Sequence, residues 1–138
     1  MRGEPERKWV SVLDGTRTQG DMEDRAAKYL ALQNLILINA DFRVFTDMIV
    51  TWSKKYESAP GSAHVVQEVV REWFEQQLVE AVMGAKVLRD SREWPMPELE
   101  KAWSQEALTA VVIPRYHVNF AVARALGARL GSLKEKIA

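Results

Sequence analysis

Two histidines are the side chains of this sequence whose chemistry most often builds a metal or acid–base site. His64 and His117 fall on different predicted helices, and neither belongs to an HxxxH, HExxH or ExxH pattern. Metal sites on helices depend on such spacings, and the chain has no cysteine to provide a thiolate. Carboxylates are plentiful, but no ligand spacing among them indicates a site. We therefore expect no metal ion and no cofactor, with His64 at a helix start and His117 as a partly buried polar residue.

Other catalytic patterns are missing from the sequence. It contains no GxSxG nucleophile turn, no GxxxxGK[ST] phosphate loop and no GxGxxG loop, which are the patterns expected for those chemistries. Asp21, Glu23 and Asp24 cluster on a predicted loop, where such a group is usually a solvated turn. We expect no catalytic residue, and an enzyme with an unrecognised carboxylate or histidine site is kept as a third hypothesis.

The charges of the chain balance, with 19 lysine and arginine residues against 19 aspartate and glutamate residues. Nucleic-acid-binding domains usually carry a basic excess, and zero net charge favours self-association by removing repulsion between copies. The C-terminal stretch is nevertheless locally basic and predicts anion contacts at Arg115, Arg124 and Arg129. The alternative interpretation is that cations favour the C-terminal end of a helix.

Five tryptophans are many for 138 residues. Each must either be buried or serve an interface, because the indole is large and apolar with one polar N–H. Trp52, Trp73 and Trp94 lie on apolar stripes or at element ends, and we predict them as interface residues. Their alternative place is the core of a single domain that spans residues 1–138.

The most informative stretch for the fold runs from Asn34 to Tyr56. Leu35–Ile38 is a short apolar run that suits a buried strand, and Asp41 is a good N-cap for a following helix. After it, apolar residues recur at helical spacing: Phe42, Phe45, Met48, Ile49, Trp52 and Tyr56. This pattern predicts a strand that leads into a helix over residues 41–57.

The fold that follows is α+β, with a hairpin or small antiparallel sheet in residues 9–39 and about four helices. Residues 25–33 are compatible with a helix or with the first arm of the hairpin, which we favour, and residues 9–13 are a candidate edge strand. The further helices are expected over residues 63–89, 97–112 and 115–133. The third either continues to residue 112 or restarts at Ser104, a good cap residue.

Three short segments resemble a known family. They read Arg25-Ala26-Ala27-x-Tyr29, Leu37-Ile38-Asn39-x-Asp41-Phe42 and Ser104-x-Glu106-Ala107-Leu108-Thr109. Together they look like the C-terminal region of large bacterial ATP-binding proteins whose N-terminal ATPase domain is of the histidine-kinase, gyrase and heat-shock-protein type. The resemblance implies an accessory or dimerisation domain. The DxGxG signature of the ATPase is absent here, so the resemblance carries over no nucleotide site and no catalytic residue.

The sequence thus favours a non-enzymatic structural or interaction domain, whose partner is a second copy or another domain of a larger chain. The second hypothesis is a nucleic-acid-associated module that uses the basic C-terminal helix. The segment MRGEPERKWV lacks the apolar core of a signal peptide, and no apolar run approaches the roughly 20 residues of a membrane helix. We therefore expect a soluble, cytoplasmic protein without a membrane partner.

Overall fold

The structure is a computed structural model that describes residues 3–89, 100–113 and 116–130. Its chain divides into two compact units: unit 1 comprises Met1–Phe42 and Glu75–Ile113, and unit 2 comprises Arg43–Phe74 and Pro114–Ala138. A three-stranded sheet precedes the helices, so the predicted α+β class is confirmed. The expectation of one domain over residues 1–138 stays a prediction.

Unit 1 is built on a sheet with the strand order β1-β3-β2, formed by β1 (Glu6–Val10), β2 (Ala27–Leu30) and β3 (Leu35–Asn39). β2 and β3 form the predicted antiparallel hairpin, and Asn34 enters β3 with a positive φ of 50°. Asn is one of the few residues that tolerate this left-handed conformation.

The sheet is mixed, which corrects the prediction of an antiparallel one. β1 pairs with β3 in parallel, with Glu6 opposite Leu35 and Val10 opposite Asn39. Parallel neighbours need a long connection, and residues 11–26 together with β2 provide it.

β1 also begins and ends three residues earlier than the predicted segment 9–13. Charged residues at positions 6–8 suggested a solvated end, but their backbone pairs with β3 and their side chains are exposed. Val12 and Leu13, which looked like strand residues, lie in a turn, and Leu13 is 96% exposed. The bounds of β1 are set by its pairing with β3, which is distant in the chain. A local sequence pattern does not contain that information.

The core of unit 1 lies between the sheet and two helices. Ile36 and Ile38 are fully buried on β3, and the register places Trp9 and Tyr29 on the same face. The long helix α2 (Ser62–Arg89) reaches this face at Glu75, whose carboxylate accepts a hydrogen bond from the Trp9 indole nitrogen. The remaining buried apolar residues of this unit are Val10, Met22, Ala26, Ala27, Phe42, Leu78, Val82, Ala85, Leu108 and Val112.

Unit 2 contains α1 (Arg43–Lys55), the first part of α2 and α5 (Tyr116–Leu130). Phe45 of α1 packs edge-on against Phe74 of α2, with ring centroids 5.1 Å apart. The first part of α2 buries Val66, Val69, Val70 and Phe74 in this unit. The other buried apolar residues here are Met48, Tyr56, Ala59, Val122, Leu126 and Leu130.

The helix bounds differ from the predicted ones mainly at the ends. The third predicted helix, 97–112, is broken: residues 100–102 form a helical turn (α3), and α4 (Gln105–Val111) restarts after Ser104. The Ser104 hydroxyl accepts from the amide of Ala107 at 3.2 Å, which confirms the alternative of a new cap at this position. Residues 97–99, 115 and 131–133 of the predicted helices lie outside the described residues.

Candidate interaction surface

Trp52 lies near the C-terminal end of α1 on the side that faces the core. Met48 precedes it by four residues and Tyr56 follows it by four, so all three share one helix face. Met48 and Tyr56 are buried, but Trp52 is only half-buried. Its ring stacks on Tyr56 with centroids 6.5 Å apart, and the Lys55 ammonium lies 4.5 Å from its centroid. The indole therefore offers an apolar edge with a cation beside it.

Trp73 on α2 is, like Trp52, an aromatic residue that is only partly removed from solvent. Its ring meets the buried Phe74 edge-on, with centroids 5.5 Å apart, and the indole itself is half-buried. A half-buried indole has apolar surface that a partner can remove from water, at roughly 25 cal/mol per Å². Both predicted interface residues that the structure describes are therefore available for contact, whereas Trp94 lies outside the described residues.

Two further tryptophans were not predicted as site residues. Trp9 donates from its indole nitrogen to the Glu75 carboxylate at 2.6 Å, and the Trp103 ring packs against Tyr29 at 5.5 Å. Both are half-buried. Their partners lie far away in sequence, so only the general tendency of tryptophan to combine apolar and polar contacts pointed to them.

The basic C-terminal helix is partly neutralised. Arg129 lies 3.4 Å from a carboxylate oxygen of Glu68 and 3.9 Å from one of Glu72. Arg124 is exposed and has an interaction of its own, and Arg115 lies outside the described residues. These ion pairs compete with any phosphate for Arg129, so the predicted anion site is weakened at that position.

A buried arginine organises the loop between β1 and β2. Arg17 donates to Asp41 at 3.1 and 3.2 Å, to the carbonyl of Asp21 at 2.7 Å and to Glu23 at 2.8 Å. The hydrogen bond to Glu23, helped by the one to Asp41, raises the pKa of Arg17 above its usual value despite burial. Asp41 also accepts from the amide of Val12.

These contacts correct the expectation that Asp41 caps α1. The helix begins two residues later, at Arg43, and the carboxylate binds the loop instead. The acidic cluster of Asp21, Glu23 and Asp24 is thus partly structural, because Glu23 and the carbonyl of Asp21 hold the guanidinium.

The tip of the same loop is a tightly bonded turn. Gly15 has a φ of 79°, and its amide donates to the carbonyl of Val12 at 3.1 Å. The amide and hydroxyl of Thr16 both donate to Asp14 and hold its pKa below the usual value. The turn therefore has an ordered backbone and leaves the Leu13 side chain exposed to solvent.

Three segments singled out in the sequence, residues 25–29, 37–42 and 104–109, meet within unit 1. The amide of Ala26 donates to the hydroxyl of Thr109 at 2.9 Å, and Arg25 lies 3.4 Å from Glu106. Asn39 is 2% exposed; its amide nitrogen donates to the carbonyls of Met22 and Arg25, and its oxygen accepts from the amide of Asp41. These residues connect strand, loop and helix, which is a structural task.

An open groove of about 510 Å³ lies beside β1, lined by Glu4, Pro5, Glu6, Arg7 and Glu75. Arg7 pairs there with Glu4 at 2.9 Å and approaches Glu75 at 3.6 Å. These ion pairs lie on the groove walls. Exposed ion pairs of this kind contribute little to stability.

The described residues contain no group of three or more histidine, cysteine, aspartate or glutamate residues able to hold a metal ion. The His64 side chain is 84% exposed and lies 3.7 Å from Glu68 on the next turn of α2. Its position at the start of that helix agrees with the prediction, whereas the side chain of His117 is outside the described part.

No protein-family model, curated protein or solved structure matches this chain. In the described part of the chain, none of the helices has the length and apolar character that crossing a membrane requires.

Proposed function

We propose that this protein is a non-enzymatic interaction module that associates with a second copy of itself. The observation that carries the proposal is Trp52, which lies on the core-facing side of α1 between two buried neighbours and is nevertheless half-buried. Half-buried Trp73 belongs to the same unit and adds a second aromatic anchor. Tryptophans of this kind commonly carry the largest share of binding energy in protein interfaces.

Self-association is the favoured mode because the chain has no net charge to keep copies apart. We further propose that the module is the accessory or dimerisation region of a larger ATP-binding protein. What supports this part is the resemblance in three segments that bond to one another in unit 1. Their structural task fits a shared scaffold better than a shared ligand site.

A nucleic-acid role through the C-terminal helix has less support, because Arg129 is already paired with Glu68 and Glu72. Salt-sensitive binding to DNA or RNA at low ionic strength would favour that alternative.

The proposal is tested by sedimentation of the variants Trp52→Ala and Trp52→Phe. Truncation of an interface anchor costs about 2 kcal/mol or more, so Trp52→Ala is expected to raise the dimer dissociation constant about thirtyfold. Trp52→Phe keeps a ring against Tyr56 and should have a smaller effect. Thr51→Ala, at an exposed neighbouring position of α1, is the matched control and should leave the constant unchanged.

Far-UV circular dichroism of each variant separates lost association from lost folding. A folded Trp52→Ala protein with an unchanged dissociation constant would contradict the role of this residue.

A further inference from the structure

The neutrality of the chain hides an opposite charge on its two units. Unit 1 has ten lysine and arginine residues against fourteen aspartate and glutamate residues, whereas unit 2 has nine against five. The net charges are therefore −4 and +4. Charge asymmetry between parts of a chain indicates partners of the complementary sign.

The excess charge includes exposed side chains on both units. Lys54 and Lys55 end α1 in unit 2, and Lys55 lies against Trp52. In unit 1, Glu6 and Glu100 are exposed. A cationic rim beside a half-buried aromatic ring is a common composition for a protein interface. Its best complement is an acidic surface with accessible apolar residues.

Unit 1 of a second copy has the complementary sign and an accessible apolar residue. Its net charge is −4, and the exposed Leu13 lies at the tip of the loop between β1 and β2, next to Asp14 in sequence. The hydrogen bonds of that turn order the backbone on both sides of the leucine, which lowers the backbone entropy lost on binding. The acidic unit therefore combines charge complementarity with an exposed apolar side chain on an ordered turn.

We propose that two copies associate about a twofold axis with unit 1 of each copy against unit 2 of the other. This inference rests on the self-association proposed above and specifies its orientation. The arrangement joins −4 to +4 twice in equivalent contacts and closes, so it does not lead to open filaments. A twofold dimer that joined like units would place like charges together. Such charges decide orientation and encounter rate more than affinity, while the aromatic anchors supply the affinity.

The salt dependence of the dimer distinguishes the two orientations by its sign. Screening shortens the reach of charges from about 14 Å at 50 mM salt to about 4 Å at 500 mM. Opposed units attract, so their dimer weakens as salt is added. Like units repel, so their dimer would strengthen over the same range and overturn the inference.

Charge reversal gives a second test, which also distinguishes the two orientations by the sign of its effect on dimer affinity. The double variant Lys54→Glu/Lys55→Glu reduces the charge of unit 2 from +4 to zero. Loss of two exposed pairs is expected to weaken the dimer about tenfold at 50 mM salt. Lys54→Arg/Lys55→Arg keeps the charge and should stay within about twofold. A dimer that tightens in the glutamate variant would favour contact between like units.

The absence of cysteine allows a direct measurement of orientation. Gln33→Cys labels the exposed hairpin turn of unit 1, and Ser58→Cys labels an exposed loop of unit 2. Donor-labelled Gln33→Cys mixed with acceptor-labelled Ser58→Cys should show more efficient energy transfer than either variant mixed with itself. Greater transfer between two copies of the same variant would overturn the inference but leave self-association intact. A monomer at every concentration would overturn both proposals, so the two failures are distinguishable.

Discussion

Asn39 provides a sharp test of how unit 1 is held together. It is almost completely buried at the end of β3. Its amide nitrogen donates to the carbonyls of Met22 and Arg25, each at 3.0 Å, and its oxygen accepts from the amide of Asp41 at 2.9 Å. Among the described residues, no buried side-chain nitrogen or oxygen lacks a hydrogen-bond partner. Removal of this side chain therefore breaks three hydrogen bonds at once and takes the partner from the Arg25 carbonyl and the Asp41 amide, whereas the Met22 carbonyl still accepts from the amide of Arg25 at 3.1 Å.

The magnitude follows from those three bonds. A hydrogen bond contributes about 0.5–1.5 kcal/mol net, and an orphaned buried group costs about 1–3 kcal/mol. We take the lower end of these ranges and expect Asn39→Ala to lower the free energy of unfolding by about 3 kcal/mol. For a chain of this size that corresponds to roughly 10 °C in Tm.

The assay is urea unfolding followed by circular dichroism and by tryptophan fluorescence. Two probes are needed because the chain has two compact units, and coincident curves are required before one free energy is assigned. Gln33→Ala, at an exposed position of the hairpin turn, is the control and should change the stability by less than about 0.5 kcal/mol. A loss below about 1 kcal/mol for Asn39→Ala would refute the reasoning.

Asn39→Asp adds a pH signature to the same test. A carboxylate at this position would face two carbonyl oxygens, so the folded protein should raise the pKa of the new group above the unfolded value of about 3.9. A raised folded pKa means that the deficit relative to the native chain is smallest below the unfolded value. The deficit should then grow as the pH rises through the folded pKa. A deficit that is equal at pH 4 and pH 7 would contradict this account.

Four further substitutions, at three positions, test local features. Gly84→Ala, in an exposed helix position where an added Cβ meets nothing within 4 Å, should raise the free energy of unfolding by about 0.5–1 kcal/mol. At Gly61 an added Cβ also meets no atom, but the φ of 71° should make Gly61→Ala about 1 kcal/mol destabilising. If both glycine variants changed the Tm in the same direction, the contrast would be refuted. Arg17→Met should cost about 2 kcal/mol, because Asp41 and Glu23 are partly exposed and regain water after losing their charge-assisted bonds. Arg17→Lys should lie between Arg17→Met and the native chain, since an ammonium lacks the fork that reaches all three partners; a lysine variant as stable as the native chain would contradict the role of the fork.

The sequence predicted those parts of the fold that depend on neighbouring residues. The apolar run Leu35–Ile38 and the residues before it indicated the hairpin. The helix expected over residues 63–89 is α2, which begins one residue earlier, at Ser62. Ser104 was a plausible cap and proved to be one. Each of these signals lies within a few residues of the structure that it predicts.

The errors involve partners that are distant in the chain. The first strand was predicted three residues too late because charged residues 6–8 look solvated. Their backbone is in fact paired with β3. Asp41 has the right type for an N-cap, but Arg17 takes its carboxylate from 24 residues away. Local patterns do not contain such pairings, and the same limit hid the contact between Trp9 and Glu75.

The interface role of Trp52 and Trp73 stays a prediction. The density of tryptophan pointed to both residues, and the structure shows that both are half-buried. The opposite charges of the two units were not visible in a whole-chain balance, because the boundary between them cuts α2 between Phe74 and Glu75. A helix that continues across a unit boundary has no turn residues to mark it.

The measurement that tests the central claim most directly is the mass of the chain in solution, determined by light scattering on a size-exclusion column over a range of concentrations. We predict a species of twice the chain mass whose fraction rises with concentration and falls as salt is added. A species of the single-chain mass at every concentration and salt would contradict self-association, and with it the role proposed for the half-buried tryptophans.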